Sequence, residues 1–210
     1  ISVVYLANPN NPTGVPIDAD ELRAFCKKVG SKALVIVDEA YNELTANPST
    51  NSMVDLVRAG GNVLVMRTFS KIFGMAGMRI GYGMARADIV DRVSKHVMAW
   101  PNGVGLTAAY HSYIDDEFIA FSREKVSEGR AMVNQTFQDV GINPVPSVTN
   151  FVFADIGRDA KAFRQAMANE GVLINGGYAG YPNYIRVSMG KLEDLETFDR
   201  VFNRVFASAV

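Results

Sequence analysis

Three stretches of this chain place reactive side chains directly after apolar runs. ISVVYLA (1–7) leads into NPNNPTG (8–14), and ALVIV (33–37) leads into DEAY (38–41). NVLVM (62–66) runs towards Thr68, Ser70 and Lys71, and Arg79 follows eight residues after Lys71. Each run has the length of a buried strand, and in a mostly parallel sheet ligands gather outside the carboxyl ends of the strands. The sequence thus gathers amides, a carboxylate, a phenol, hydroxyls and an amine at one sheet edge. An amine can form an imine or carry a proton. The convergence says more than any one motif.

Each residue also has a plainer reading. Asn, Pro and Gly are common turn formers, so NPNNPTG explains itself as a turn. Lys71 is one of 21 Lys and Arg residues. Asp38 could end a strand or cap a helix, Tyr41 could be a core or interface residue, and Thr68 and Ser70 could be ordinary loop donors. Arg79 and Arg186 could be surface charges. An apolar run ending in DE also resembles the Walker B strand of a P-loop ATPase. That reading needs GxxxxGK[ST], which these 210 residues lack, and it gives no part to TFSK or Arg79. No nucleophile–histidine–acid set stands out.

The elements that must position these residues can be read from periodicity. Alternating strands and helices over about 1–105 predict a mostly parallel α/β sheet. In the first helix Asp18 is the expected cap, Glu21 holds the capping-box position and Gly30 follows the end. Leu22, Phe25, Cys26 and Val29 form its apolar stripe. RIGYGMA (79–85) is expected to be a further strand, followed by a helix with a stripe of Ile89, Val93 and Val97. Leu106 to about Val140 reads as a long helix with an interruption. Beyond it lie expected strands at 150–154, 172–175 and 184–188 and helices at 159–170 and 192–208. The last helix carries Leu195, Phe198, Phe202, Val205 and Phe206 on one side. This describes a large α/β domain over 1–110 and a smaller α+β domain over 111–210.

Composition narrows the function classes. The chain is 48% hydrophobic and 20% charged with a net charge of −1, ordinary for a globular protein. No basic excess points to nucleic acid, and the longest apolar runs are too short for a bilayer. Cys26 is the single cysteine and fits a reducing, cytoplasmic compartment. His96 and His111 are too few for a multi-histidine metal site, and no metal is expected. The chain begins at Ile1, directly before a strand, and reads as a fragment or processed product, with any export signal upstream.

NPNNPTG, VDEAY, RTFSKIFGMAGMRIGYG and YIRVSMG occur in this order. In that order they resemble the pyridoxal-phosphate aminotransferases of fold type I, class I/II, and within them the histidinol-phosphate aminotransferase-like branch. The resemblance covers essentially the whole chain, as the C-terminal part of the large cofactor domain plus the small domain. It implies a homodimer binding pyridoxal 5'-phosphate, an amino acid and a 2-oxo acid. It also implies roles. Lys71 would form the imine with the cofactor aldehyde and then move the α-proton, an acid–base step worth ~10²–10⁴-fold. Asp38 would pair with the pyridine nitrogen, while Tyr41 and Asn11 would donate to the phenolic oxygen. Thr68, Ser70 and Arg79 would grip the phosphate. Arg186, with Asn150, would take the substrate α-carboxylate. Asn8 and Asn10 are left to the turn.

The sequence departs from that pattern in two places. The histidinol-phosphate branch implies an arginine shortly before a GGYG-like turn, and here Asn175 stands at about that place. That substitution leaves the amino donor open between histidinol phosphate and an aromatic or broad-range amino acid. The glycine-rich phosphate loop, the ring-stacking aromatic residue and a residue donated by the partner subunit all belong upstream of Ile1. A chain limited to these residues is expected to bind the cofactor weakly. The same residues would serve a fold type I lyase or decarboxylase. A truncated or regulatory domain is a third, non-enzymatic reading.

Overall fold

The computed structural model describes residues 1–208. The chain packs as two compact units, Ile1–Asn11 with Pro16–Ser122, and Pro12–Val15 with Arg123–Val210. The sequence changes character near residue 110, whereas the packing divides at Ser122 and Arg123.

The first unit is built on a four-stranded sheet. Its elements are β1 (Val3–Ala7), α1 (Ala19–Gly30), β2 (Leu34–Asp38), the short helices α2 (Pro48–Asn51) and α3 (Val54–Arg58), and β3 (Val63–Thr68). They continue with β4 (Gly81–Ala85), α4 (Ala87–Ser94), α5 (Gly103–Tyr113) and the first turns of α6 (Asp116–Asp139). Strand order is β1-β2-β3-β4, with the first three parallel. Consequently Ala7, Asp38 and Met66 stand in register, and all three strands open at the same edge.

Asp18 caps α1 as expected, its Oδ1 accepting from Asp20 N at 2.9 Å and Glu21 N at 3.1 Å. Of the α1 stripe, Leu22 and Cys26 are buried against Val35, Val37, Val63 and Val65. Phe25 is 40% exposed, so the buried stripe is narrower than its periodicity predicts. The stripe after β4 also shortens. Ile89 is buried, Val93 is 50% exposed, and α4 ends before Val97.

β4 departs from the parallel pattern. It returns beside β3 antiparallel, with Thr68 opposite Gly81. The connection holds a loop and one 3₁₀ turn rather than a crossover helix, so the chain can only double back. Gly81 permits the approach, since a Cβ there would lie 2.8 Å from the Arg67 carbonyl oxygen.

The long helical stretch breaks at Ile114 and Asp115, where Asp115 Oδ1 accepts from Phe118 N at 2.9 Å and caps α6. In the second unit follow β5 (Phe151–Asp155), α7 (Ala160–Asn169), β6 (Asn175–Tyr178), β7 (Tyr181–Ser188) and α8 (Leu192–Ala207). The strands form an antiparallel sheet in the order β5-β7-β6. Its core joins Val133 and Phe137 of α6 to Phe163, Met167, Ile185 and the α8 stripe of Leu195, Phe198, Phe202 and Val205. The expected strand at 172–175 starts only at its last residue, and Ile174 just before it packs into this core. Among the described residues no helix is long and apolar enough to cross a membrane.

Candidate active site

The β2 end supplies the acid. Asp38 is the last residue of β2, and its two oxygens are both engaged. Ala40 N donates to Oδ1 at 3.0 Å, and the Tyr5 hydroxyl donates to Oδ2 at 2.6 Å. Tyr5 stands on β1 opposite Ile36, so its side chain shares the Asp38 face. The hydrogen bond to Asp38, then burial, then the Asp38 and Tyr41 charges push the Tyr5 phenol up to about 12.

The β3 end supplies the amine. Phe69, Ile72 and Phe73 are buried with Ile80 and Ala109, which anchors the loop on both sides of Ser70 and Lys71. Burial of such side chains contributes roughly 1.5–3 kcal/mol each, so this apolar clamp holds the two polar residues outward. Lys71 Nζ lies 5.2 Å from the centroid of the buried Tyr41 ring. Thr68 Oγ1 accepts from Ser70 N at 3.0 Å, closing the turn that carries both hydroxyls. Arg79 adopts the left-handed region, φ 56°, and its Nη1 donates to the Ala76 carbonyl at 2.7 Å.

Two cavities adjoin at these strand ends. One of about 570 Å³ is lined by Tyr5, Asn11, Asp38, Tyr41 and Lys71, among others. The other, about 700 Å³, is lined by Asp38, Thr68, Ser70, Lys71 and Arg79. Asp38, Ala40 and Lys71 line both. The structure thus brings together the seven residues that the sequence analysis placed around a cofactor. Asn8 lines neither cavity, although its backbone N donates to the Asp38 carbonyl at 2.9 Å. It is buried, and its Oδ1 accepts from Ile17 N at 2.7 Å.

Arg186 and Asn150 belong to the second unit. Alternation holds in β7, with Ile185 and Val187 buried and Arg186 on the other face, its guanidinium 5.1 Å from the Phe151 ring centroid. Asn175 on β6 stands directly opposite Arg186, and both line a cavity of about 420 Å³. The Asn150 carbonyl accepts from Met189 N at 2.9 Å.

Sequence reasoning missed Tyr5 and a second group, Glu39 with its partners. Glu39 is fully buried, and Met53 N donates to its Oε1 at 2.7 Å. Ser52 Oγ and Arg67 both donate to its Oε2, at 2.8 and 2.9 Å. Arg67 also pairs with Glu43 at 3.3 Å. Burial opposes the Arg67 charge, but the Glu39 and Glu43 carboxylates outweigh it and raise the guanidinium above its usual range. The only sequence signal was a second acid after Asp38, together with an arginine at the end of the adjacent strand.

The family model for aminotransferase class I and II matches residues 1–202. The chain belongs to this family. It is 37% identical over 211 residues to the histidinol-phosphate aminotransferase of Moorella thermoacetica, covering 98% of this chain and 54% of that protein. Histidinol-phosphate aminotransferase 2 of Pseudomonas aeruginosa is also 37% identical, over 98% of this chain and 56% of its own length. Among solved structures, the Sinorhizobium meliloti histidinol-phosphate aminotransferase in complex with pyridoxal-5'-phosphate superposes with a TM-score of 0.90. That match has 30% identity and covers 99% of this chain and 58% of that one. The chain therefore spans a little over half the length of the relatives it matches. As a member of the aminotransferase class I and II family it has that family's α/β fold, with the polar strand ends at the open edge of its parallel strands.

Proposed function

We propose that the full protein transfers an amino group between an amino acid and a 2-oxo acid with pyridoxal 5'-phosphate as cofactor. The observation that carries this reading is that Asp38 and Lys71 line both adjoining cavities, with an anion-binding set on one side and a phenol and an amide on the other. That donor set fits the cofactor, which has a basic ring nitrogen, a phenolic oxygen, an aldehyde and a phosphate. When bound, the cofactor supplies a carbonyl carbon for an amine and a ring that takes up electrons.

Lys71 would be the amine that holds the cofactor, and its free amine would carry the proton at the substrate α-carbon. Asp38 holds the proton on the ring nitrogen, since a carboxylate beside it favours the charged form. Tyr41 and Asn11 donate to the phenolic oxygen, and Asn11 does so without adding a charge. Thr68 and Ser70 donate hydroxyls to the phosphate, and Arg79 offers its planar fork. Arg186, assisted by Asn150, is assigned to the substrate α-carboxylate. We place the enzyme in the cytoplasm as a homodimer.

The relatives named for histidinol phosphate make that amine one candidate donor. Asn175 opposite Arg186 favours an aromatic or broad-range amino acid without a phosphate. The test is a panel of amino donors on the full protein, read by conversion to the pyridoxamine form. Stoichiometric conversion by an amino acid alone supports transamination. Release of carbon dioxide or another cleavage product without that conversion would replace it with the lyase reading.

A further inference from the structure

The Tyr5 hydroxyl has no part in the chemistry assigned above, yet it makes a short side-chain contact with the acid at the centre of the site. It lies 2.6 Å from Asp38 Oδ2, while Ala40 N takes Oδ1 at 3.0 Å. An ionised carboxylate offers about four lone-pair sites over its two oxygens. One donor on each oxygen fixes the carboxylate plane and leaves one lone pair on each oxygen for a further partner. The two donors differ in kind. Ala40 N belongs to the Asp38 turn itself, whereas Tyr5 reaches across from the neighbouring strand, with Ala7 and Asp38 in register. The ionisable groups facing Tyr5 are Asp38 and Tyr41 from the β2 end and Lys71 from the loop after β3, all lining the same cavity.

We propose that Tyr5 is a positioning residue, whose hydroxyl orients the Asp38 carboxylate for the ring nitrogen of the cofactor. This rests on the reading of Asp38 as the partner of that nitrogen. The pair itself exists without the cofactor and can be observed without it. The same hydrogen bond pushes the phenol up to about 12, which makes the pair readable by titration.

The experiment uses the full protein as wild type, Tyr5→Phe, Asp38→Asn and the double variant. The first readout is the ionisation of Tyr5 in the cofactor-free protein, taken as the near-ultraviolet difference between each Asp38 background and its Tyr5→Phe counterpart. At about pH 11 roughly a tenth of the phenol should be ionised in the wild type, against about nine-tenths for an ordinary tyrosine. Asp38→Asn should move it towards the ordinary value. An ordinary titration in the wild type, or none of that movement, removes the pair and with it the proposal.

The second readout is the cofactor dissociation constant. Tyr5→Phe should weaken binding by about five- to tenfold with Asp38 present, the size of one ordinary hydrogen bond. It should do nothing further in the Asp38→Asn background. An equal loss in both backgrounds would show that Tyr5 acts independently of Asp38 and overturn the proposal. If the phenol shift is as expected but Asp38→Asn binds the cofactor like wild type, the reading of Asp38 fails instead. The positioning role then falls with it, although the pair stands.

Discussion

Arg67 donates from Nε and Nη2 to Glu39 Oε2, at 3.1 and 2.9 Å, so a fully buried carboxylate stands paired one residue beyond Asp38. Glu39 also binds Met53 N and Ser52 Oγ, which ties the β2 end to the segment before α3. Removing Glu39 strips the buried Met53 N and Ser52 Oγ of their acceptor and leaves Arg67 only its longer pair with Glu43. Glu39→Ala should therefore cost about 3–5 kcal/mol of unfolding free energy. Urea unfolding measures this directly, and a loss below about 1 kcal/mol would mean that the network is not closed as described.

Tyr41 contributes both a ring beneath the Lys71 ammonium and a hydroxyl. Tyr41→Phe keeps the first and removes the second. The variant should still give a cofactor–lysine adduct on borohydride treatment, with cofactor affinity lowered by about tenfold. Unchanged affinity by absorbance titration would remove the hydroxyl from the proposed cofactor contacts.

Asp38→Ala should leave attachment at Lys71 possible while slowing proton removal from the substrate by about a thousandfold or more. Single-turnover spectra with an amino donor separate the two effects. Near-normal turnover would count against the acid's role.

Cys26 packs against the buried face of the sheet, and burial, followed by the Asp55 and Glu39 charges, pushes its thiol up to about 11. At pH 8 a disulfide reagent should thus react with it only through unfolding or local opening. The sign of the pH effect follows from linkage. The native state disfavours the thiolate, so this group's contribution is unchanged below the ordinary thiol range, about 9, and stability falls as pH rises from there to about 11. Cys26→Ala should flatten that alkaline fall in a thermal melt series.

Asn175 stands opposite Arg186 on neighbouring antiparallel strands. Asn175→Arg should raise the use of a phosphorylated amino donor relative to its unphosphorylated analogue, by about tenfold in kcat/KM for one added charge-assisted contact. No change in that ratio would remove Asn175 from any part in substrate choice.

Much of this architecture was legible because it is local. The α1 cap at Asp18, the alternation in β7 and the α8 stripe each depend on neighbours a few residues apart. The polar strand ends also followed once parallel pairing put Ala7, Asp38 and Met66 in register. What escaped depends on distant partners. Tyr5 meets Asp38, and Glu39 meets Arg67, only through strand register, and nothing in either local sequence announces the match. The direction of β4 was hidden for a related reason. Its strand pattern reads the same either way, and only the lack of a crossover helix decides. Phe25 shows the limit of periodicity, which reports a face but not whether that face is covered.

Every role proposed for this site depends on Lys71 being the covalent anchor of the cofactor. The decisive measurement is borohydride reduction of the full protein with pyridoxal 5'-phosphate, followed by peptide mass analysis of wild type and Lys71→Ala. A cofactor-modified peptide containing Lys71 is expected in the wild type, and no specific adduct in the variant. A stoichiometric adduct on another lysine, or one that persists in Lys71→Ala, would contradict that assignment.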